Sequence, residues 1–201
     1  MELPLFPLKT VLLPHNSLAL KIFEPRYIDL IARCLRDNQP FGVVLIHSGE
    51  ETDKDIEIFS VGTSAMISDW QQRDDGLLGI TIDGKQRFEI QTTASCPDGL
   101  LTAEVSLIDD CEKQPIPEQF YYMLELLNHV SNQERADNLQ HDFNIIVYQL
   151  IYLLPLENAL KQQLLEVSDC HDRAVVLHAE LIRLGIIQYI KPGQSPFLDD
   201  S

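Results

Sequence analysis

LPLFPLKTVLLPHNSLALKIFEPRY, residues Leu3 to Tyr27, sets two strand-like runs, a turn and a helix start in immediate succession, and the rest of the chain completes what it begins. Pro4, Pro7 and Pro14 carry no backbone donor, so a ladder through Leu3, Leu5 and Leu8 is expected only as an edge or irregular strand. Pro14-His15-Asn16-Ser17 supplies turn chemistry. Leu18, Leu20 and Ile22 then fall on one face at the strand period of two, which predicts a half-buried strand. Pro25 stands where the first turn of a helix needs no amide donor. Behind it Tyr27, Leu30, Ile31, Cys34 and Leu35 recur at helical spacing, Arg26, Asp29, Arg33 and Arg36 take the other side, and Asn38 and Pro40 end the helix.

Downstream, Phe41 to Ile46 is a continuous apolar run suited to a strand buried on both faces, and residues 47–55 read as an exposed polar loop. From Ile58 to Asp69 the β-formers return, with Val61, Thr63, Ala65 and Ile67 alternating and Gly62 marking a bulge or a close backbone approach. Asp74-Asp75-Gly76 predicts a hairpin, Asp83-Gly84 a second tight turn between Leu78-Ile80-Ile82 and Phe88-Ile90, and Pro97-Asp98-Gly99 a third. A last strand puts Leu101, Ala103, Val105 and Leu107 on one face. Short antiparallel strands with one helix after the second make a β-lobe that is expected to be closed or half-closed, hiding its edges.

The polar, proline-bearing stretch from Asp109 to Pro117 marks a boundary, and beyond it the period becomes helical. Apolar stripes run through Phe120, Met123, Leu124 and Leu127, then Phe143, Val147, Leu150, Ile151 and Leu154, then Leu160, Leu164, Leu165 and Val167. Asp169 can cap a further helix whose inner face is read as Val175, His178, Leu181 and Ile182, with Gly185 as its stop. The chain therefore reads as α+β, with a β-rich lobe over residues 1–112, a C-terminal α-helical bundle over 113–190 and a loose tail over 191–201.

At 201 residues and 45% hydrophobic content the chain can bury a real core. Its formal net charge of −16, with no basic cluster to offset it, argues against nucleic acid and anionic membrane surfaces as partners. Cys34, Cys96, Cys111 and Cys170 form no CxxC pair, no signal-peptide pattern opens the chain, and no apolar run approaches the ~20 residues a spanning helix needs. A cytoplasmic protein with reduced thiols is the expectation.

The ordered motifs Leu3-Pro4-Leu5-Phe6-Pro7-Leu8, Val11-Leu12-Leu13-Pro14 and Ile22-Phe23-Glu24-Pro25-Arg26-Tyr27 resemble the amino-terminal, substrate-binding domain of the Lon protease family. The resemblance continues through Phe41-Gly42-Val43-Val44-Leu45-Ile46, Val61-Gly62-Thr63-Ser64-Ala65, Asp74-Asp75-Gly76-Leu77-Leu78 and Gly84-Lys85-Gln86-Arg87-Phe88. It returns at Leu154-Pro155-Leu156-Glu157 and Lys161-Gln162-Gln163-Leu164-Leu165-Glu166. His15 departs from it, since members commonly carry glycine after the proline. The resemblance implies a PUA-like β pseudo-barrel for the lobe and a polypeptide-binding function. A complete Lon enzyme would also need a phosphate cradle ending in Gly-Lys-Ser/Thr and a serine activated by lysine. The Gly84-Lys85 step is followed by Gln86 and opens no predicted helix, so no catalytic residue and no cofactor are expected.

His15, His47, His129, His141, His171 and His178 show no paired ligand spacing, and no metal site is expected. Asp74 and Asp75 read as turn residues rather than an acid/base pair. The candidate peptide-binding residues are Phe23, Glu24, Arg26, Tyr27, Trp70 and Arg87. Glu24 can complement a helix start and Tyr27 can bury its ring, so both also have a fold-stabilising reading. Arg87 is expected to pair with Glu24 or to face solvent, and Trp70, the lone tryptophan, to pack or to anchor an apolar peptide. The reading is thus a non-catalytic module that binds exposed apolar or unfolded polypeptide segments at a sheet edge or in a groove between lobes, acting as adaptor, holdase or competitor alongside Lon-pathway proteins. The alternatives are an RNA-binding PUA-like protein and a small-molecule enzyme using the inter-lobe cleft. Edge strands and helix faces leave room for a homodimer.

Overall fold

In a computed structural model, the structure describes residues 1–49, 51, 56–131 and 142–187. The chain divides into two compact units, Met1–Asp110 and Cys111–Ser201. The first holds β1 (Glu2–Leu8), β2 (Ser17–Ile22), α1 (Pro25–Asp37), β3 (Phe41–Ser48), β4 (Glu57–Ile58), β5 (Val61–Gln72), β6 (Leu78–Ser95) and β7 (Leu101–Ile108). These seven strands form one sheet. Its pairings return to their start: β1 joins β7, β7 joins β6, β6 joins β5, β5 joins β3, and β3 joins β1 in the one parallel step. Closure of that ring removes most of the sheet's open edge.

The prolines of β1 are accommodated by splitting its pairing. Glu2–Leu5 lies against β7 and Leu5–Leu8 against β3, so each half has one neighbour and each proline can keep its donorless side away from a ladder. The irregular alternative for this strand is the one realised. Pro25 opens α1, and Asn38 closes it in the left-handed conformation with φ 49°, its amide returning to the Cys34 carbonyl. Tyr27, Leu30, Ile31 and Cys34 are the buried face of α1, whereas Leu35, one step round the helix, is exposed. They pack with Phe6, Leu12, Ile22, Phe41 and Ile82 in the larger core cluster. The rings of Phe6 and Tyr27 stack at 4.0 Å between centroids. Leu3, Leu5, Val44, Phe88 and Val105 make a second cluster.

The turns at Gly76 and Gly99 form as expected, each glycine at positive φ (81° and 82°) between hairpin strands. The turn expected at Asp83-Gly84 does not form. β6 runs unbroken through Gly84, and the physical reason is space: a Cβ there would sit 2.2 Å from the Leu13 carbonyl oxygen. The Gly84 amide and carbonyl instead bond the Asn16 carbonyl (2.8 Å) and the His15 amide (3.0 Å). At this point β6 exchanges one neighbour for another, pairing with β2 through Asp83 and with β7 from Arg87. Gly62 marks a close approach, 2.5 Å from its added Cβ to the Val43 carbonyl oxygen.

The second unit contains a short 3-10 turn (Glu118–Phe120), α2 (Tyr121–Val130), α3 (Phe143–Leu153), α4 (Asn158–Glu166) and α5 (Cys170–Arg183). Among the described residues α3 is the central helix, with buried residues almost all round it, and α2, α4 and α5 contact it. On α2 the buried face is Tyr122, Met123, Leu126 and Leu127, with Leu124 at its margin. The expected inner face of α5 is corrected: Val175 is exposed, and the buried residues are Cys170, Arg173, Ala174, Leu177 and Leu181. Arg173 is the reason. Its guanidinium bonds the Leu164 and Val167 carbonyls (3.0 and 2.6 Å) and Asn144 Oδ1 (2.6 Å), and lies 4.3 Å from the centroid of the Tyr148 ring. One side chain thereby satisfies two of the carbonyls at the end of α4 and places a charged residue on the inner face of α5. Asp169 caps α5 through the Asp172 amide, and Gly185 ends it with φ 68°. The tail over 191–201 and His141 lie outside the described residues.

Candidate functional site

A strand turns successive side chains to opposite faces, so a hollow touched by consecutive strand residues must lie along the strand's edge. A groove of the first unit, about 240 Å³, is of this kind. It is lined by Leu18, Ala19, Leu20, Lys21, Ile22, Phe23 and Glu24 of β2 and the segment after it, and by Phe6, Leu8, Thr10, Tyr27 and Glu51. β2 is hydrogen-bonded to β6 on one side, and among the described residues no strand covers its other side. Leu18 and Leu20 are half-buried: they pack against the larger core cluster and also line this hollow.

The candidates on the Phe23–Tyr27 segment come together here. Phe23 is 54% exposed and lines the groove just beyond the end of β2. Tyr27, 5% exposed, also lines it, and burial pushes its phenol up to about 12, so it stays protonated. Glu24 precedes α1, its carbonyl accepting from the Tyr27 and Ile28 amides while its carboxylate takes Arg26 at 2.9 Å. Arg26 also donates to the Gly99 carbonyl (2.9 Å) and the Glu51 carbonyl (3.2 Å), and its guanidinium sits 4.8 Å from the Tyr27 ring centroid. It ties the helix start to two loops instead of pointing into the groove. Lys21 bonds Asp75 in the β5–β6 turn at 2.8 Å. That bond, with the Leu77 amide and Arg73, draws the Asp75 carboxyl down to about 2.

Trp70 and Arg87 are not in this groove. Trp70, on β5, is 59% exposed beside a smaller hollow of about 60 Å³ that shares Ala19 and Leu20 with the first. Leu20 and Trp70 both register with Ile80 of β6, so Trp70 stands two strands from the open edge. Arg87 is 1% exposed, its Nη2 3.5 Å from the Asp109 carbonyl, so the expected solvent-facing position is not taken. Phe6, Leu8, Leu18 and Leu20 read as ordinary strand residues in sequence; here they are the apolar walls.

Chemically, the groove offers apolar contact and an open backbone ladder. Lys21 and Glu24 are engaged in ion pairs, and Tyr27 is held neutral. Among the described residues of the second unit, Asp169, His171 and Asp172 bring ligand-type atoms within 4.8 Å of one another on the surface. Asp169 is there occupied as the cap of α5, and His171 Nε2 lies 2.9 Å from Gln119. No helix among the described residues is long and apolar enough to cross a membrane.

A crystal structure of a Lon N-terminal domain protein from Xanthomonas campestris is similar to this chain, with a TM-score of 0.77 and 30% identity over 89% of this chain and 98% of that one. The N-terminal domain of a Mycobacterium avium complex Lon protease shares the fold, with a TM-score of 0.63 at 20% identity. The Lon protease of Cytophaga hutchinsonii is 25% identical over 190 residues, 87% of this chain and 23% of that protein. The chain spans about a quarter of the length of the curated relatives it matches. The model of one family, the ATP-dependent protease La (LON) substrate-binding domain, matches residues 2–183, and it is to this family that the chain belongs.

Proposed function

We propose that the chain is a non-catalytic recognition module that binds exposed apolar or unfolded segments of other polypeptides in the groove between β2 and the start of α1. The observation that carries this reading is the groove itself, apolar-walled and set along a strand edge with no neighbour among the described residues. Family membership supports the same reading, since the family is a substrate-binding domain. On it rest the further proposals that the closed β-unit is PUA-like, that the helices after residue 112 form a separate bundle, and that the protein works in the cytoplasm as adaptor, holdase or competitor. Of the six candidate residues, Phe23, Glu24 and Tyr27 border the groove and are proposed to serve it. Arg26 is proposed to position them, Trp70 to flank them, and Arg87 to support the fold.

A peptide array probed with the purified chain and scored for apolar enrichment tests the proposal. Phe23→Glu should reduce peptide affinity about tenfold, the scale of one buried aromatic contact, without lowering thermal stability. Equal binding by this variant, or an affinity confined to single-stranded RNA and falling steeply with salt, would replace the reading.

A further inference from the structure

We propose that the groove takes its segment as an added β-strand on the open edge of β2, and that it selects segments that are apolar at alternate positions and net basic. The inference rests on the peptide-binding reading above and adds the geometry and charge of what is bound.

Sheet proteins ordinarily blunt an open edge with proline, a bulge or an inward lysine. β2 has few such devices. Ser17–Ile22 contains no proline, its six pairs with β6 run without a register break, and its one charge, Lys21, is drawn to Asp75 in the neighbouring turn. Among the described residues no strand pairs with the side of β2 turned away from β6, and every residue from Leu18 to Ile22 lines the groove. A segment paired along six residues would extend ~20 Å at about 3.3 Å per residue. Its alternate side chains would fall on the face where Leu18 and Leu20 are half-buried, beside Phe6, Leu8 and Tyr27, which line the same groove. The intervening side chains would lie beside Ala19 and Lys21, which face solvent. An alternating segment fits that arrangement better than a helix, which could not use the ladder.

Charge supplies the second restriction. The chain carries a net charge of −16. Three basic groups around the edge are already matched, Lys21 and Arg73 to Asp75 and Arg26 to Glu24. An acidic segment would meet a repulsive field with its nearby cations taken, whereas a basic one would be drawn in.

The test uses the full chain and synthetic twelve-residue peptides with an alternating Val/Phe core, their binding read by fluorescence anisotropy. One pair of peptides is N-methylated at alternate amides, in the two complementary sets. A strand turns alternate amides to opposite sides, so only one set can meet β2. That set should lose roughly a hundredfold in affinity, the scale of three backbone hydrogen bonds, while the other changes little. A second pair carries three flanking lysines or three flanking glutamates. The lysine peptide should bind roughly tenfold tighter at low salt, and the gap should shrink as salt rises. Equal affinity of the two methylated sets overturns strand addition while leaving an apolar groove in place, and equal or tighter binding of the glutamate peptide overturns the charge selection. If no peptide binds, and Phe23→Glu makes no difference, the peptide-binding reading falls and takes this inference with it.

Discussion

His15 adopts a left-handed backbone with φ 60°, where an L-residue costs about 1–2 kcal/mol. Its amide holds the Gly84 carbonyl at 3.0 Å, which leaves the turn no room to relax. The family's usual glycine at this place therefore has a conformational reason. His15→Gly should be neutral to about 1 kcal/mol more stable in urea unfolding, the relief exceeding the ~0.5–1 kcal/mol of added chain entropy, and His15→Val should be clearly destabilised. The half-exposed contact from His15 to Asp110, at 3.3 Å, is too screened to reverse that order. Arg173 is the opposite case, since nothing in the local pattern of α5 distinguishes it from a surface arginine. Only the folded arrangement brings the Leu164 and Val167 carbonyls and Asn144 around it. Arg173→Met should cost about 3–5 kcal/mol in the same assay because two buried acceptors and one part-buried acceptor lose their donor, and Arg173→Lys should recover little of it.

At the scale of elements, glycine shows what a sequence discloses and what it withholds. Gly76 and Gly99 were legible as turns because their neighbours Asp75 and Asp98 supply the matching side-chain bonds, to Leu77 and Leu100. Gly84 follows an aspartate in the same way, yet it serves by lacking a Cβ inside a continuous strand. The two uses differ only in what the rest of the chain places nearby. The buried stripe of α5 departs from its apolar pattern for a related reason: Arg173, polar by type, faces inward. Between β2 and the β5–β6 turn, the Lys21–Asp75 pair makes a pH-dependent tie. Because folding lowers the Asp75 pKa, the unfolded chain binds more protons between about pH 2 and the ordinary carboxylate value of 3.8. Its stabilising contribution is present above that window and is lost as pH falls through it. Asp75→Asn should flatten the fall of stability over this range relative to the parent chain, as followed by urea midpoints, and Lys21→Met should do so in part.

For the molecule as a whole, closure of the ring and the open edge of β2 are consequences of one pairing pattern. The candidate site was legible as a segment, since Phe23, Glu24 and Tyr27 do border the groove, but not as a surface. Which side of β2 stays open depends on β6 taking the other, and which apolar residues become walls depends on where β1 and α1 are set against it. Local periodicity carries none of that. The ring is completed by strands from the two ends of the first unit: β7 pairs with β1, and the Met1 amino group bonds the Val105 carbonyl at 2.9 Å. Contacts between residues about a hundred positions apart are therefore conditions of closure, not additions to it. A fragment of residues 1–110 contains every pairing of the ring and should unfold cooperatively in urea with native-like near-ultraviolet dichroism. A fragment of residues 1–98 lacks β7, exposes one side of β1 and of β6, and should lose that cooperative transition, as should residues 9–110, which lack β1. If both truncated fragments kept a sharp transition, closure of the ring would be dispensable to the fold of the first unit.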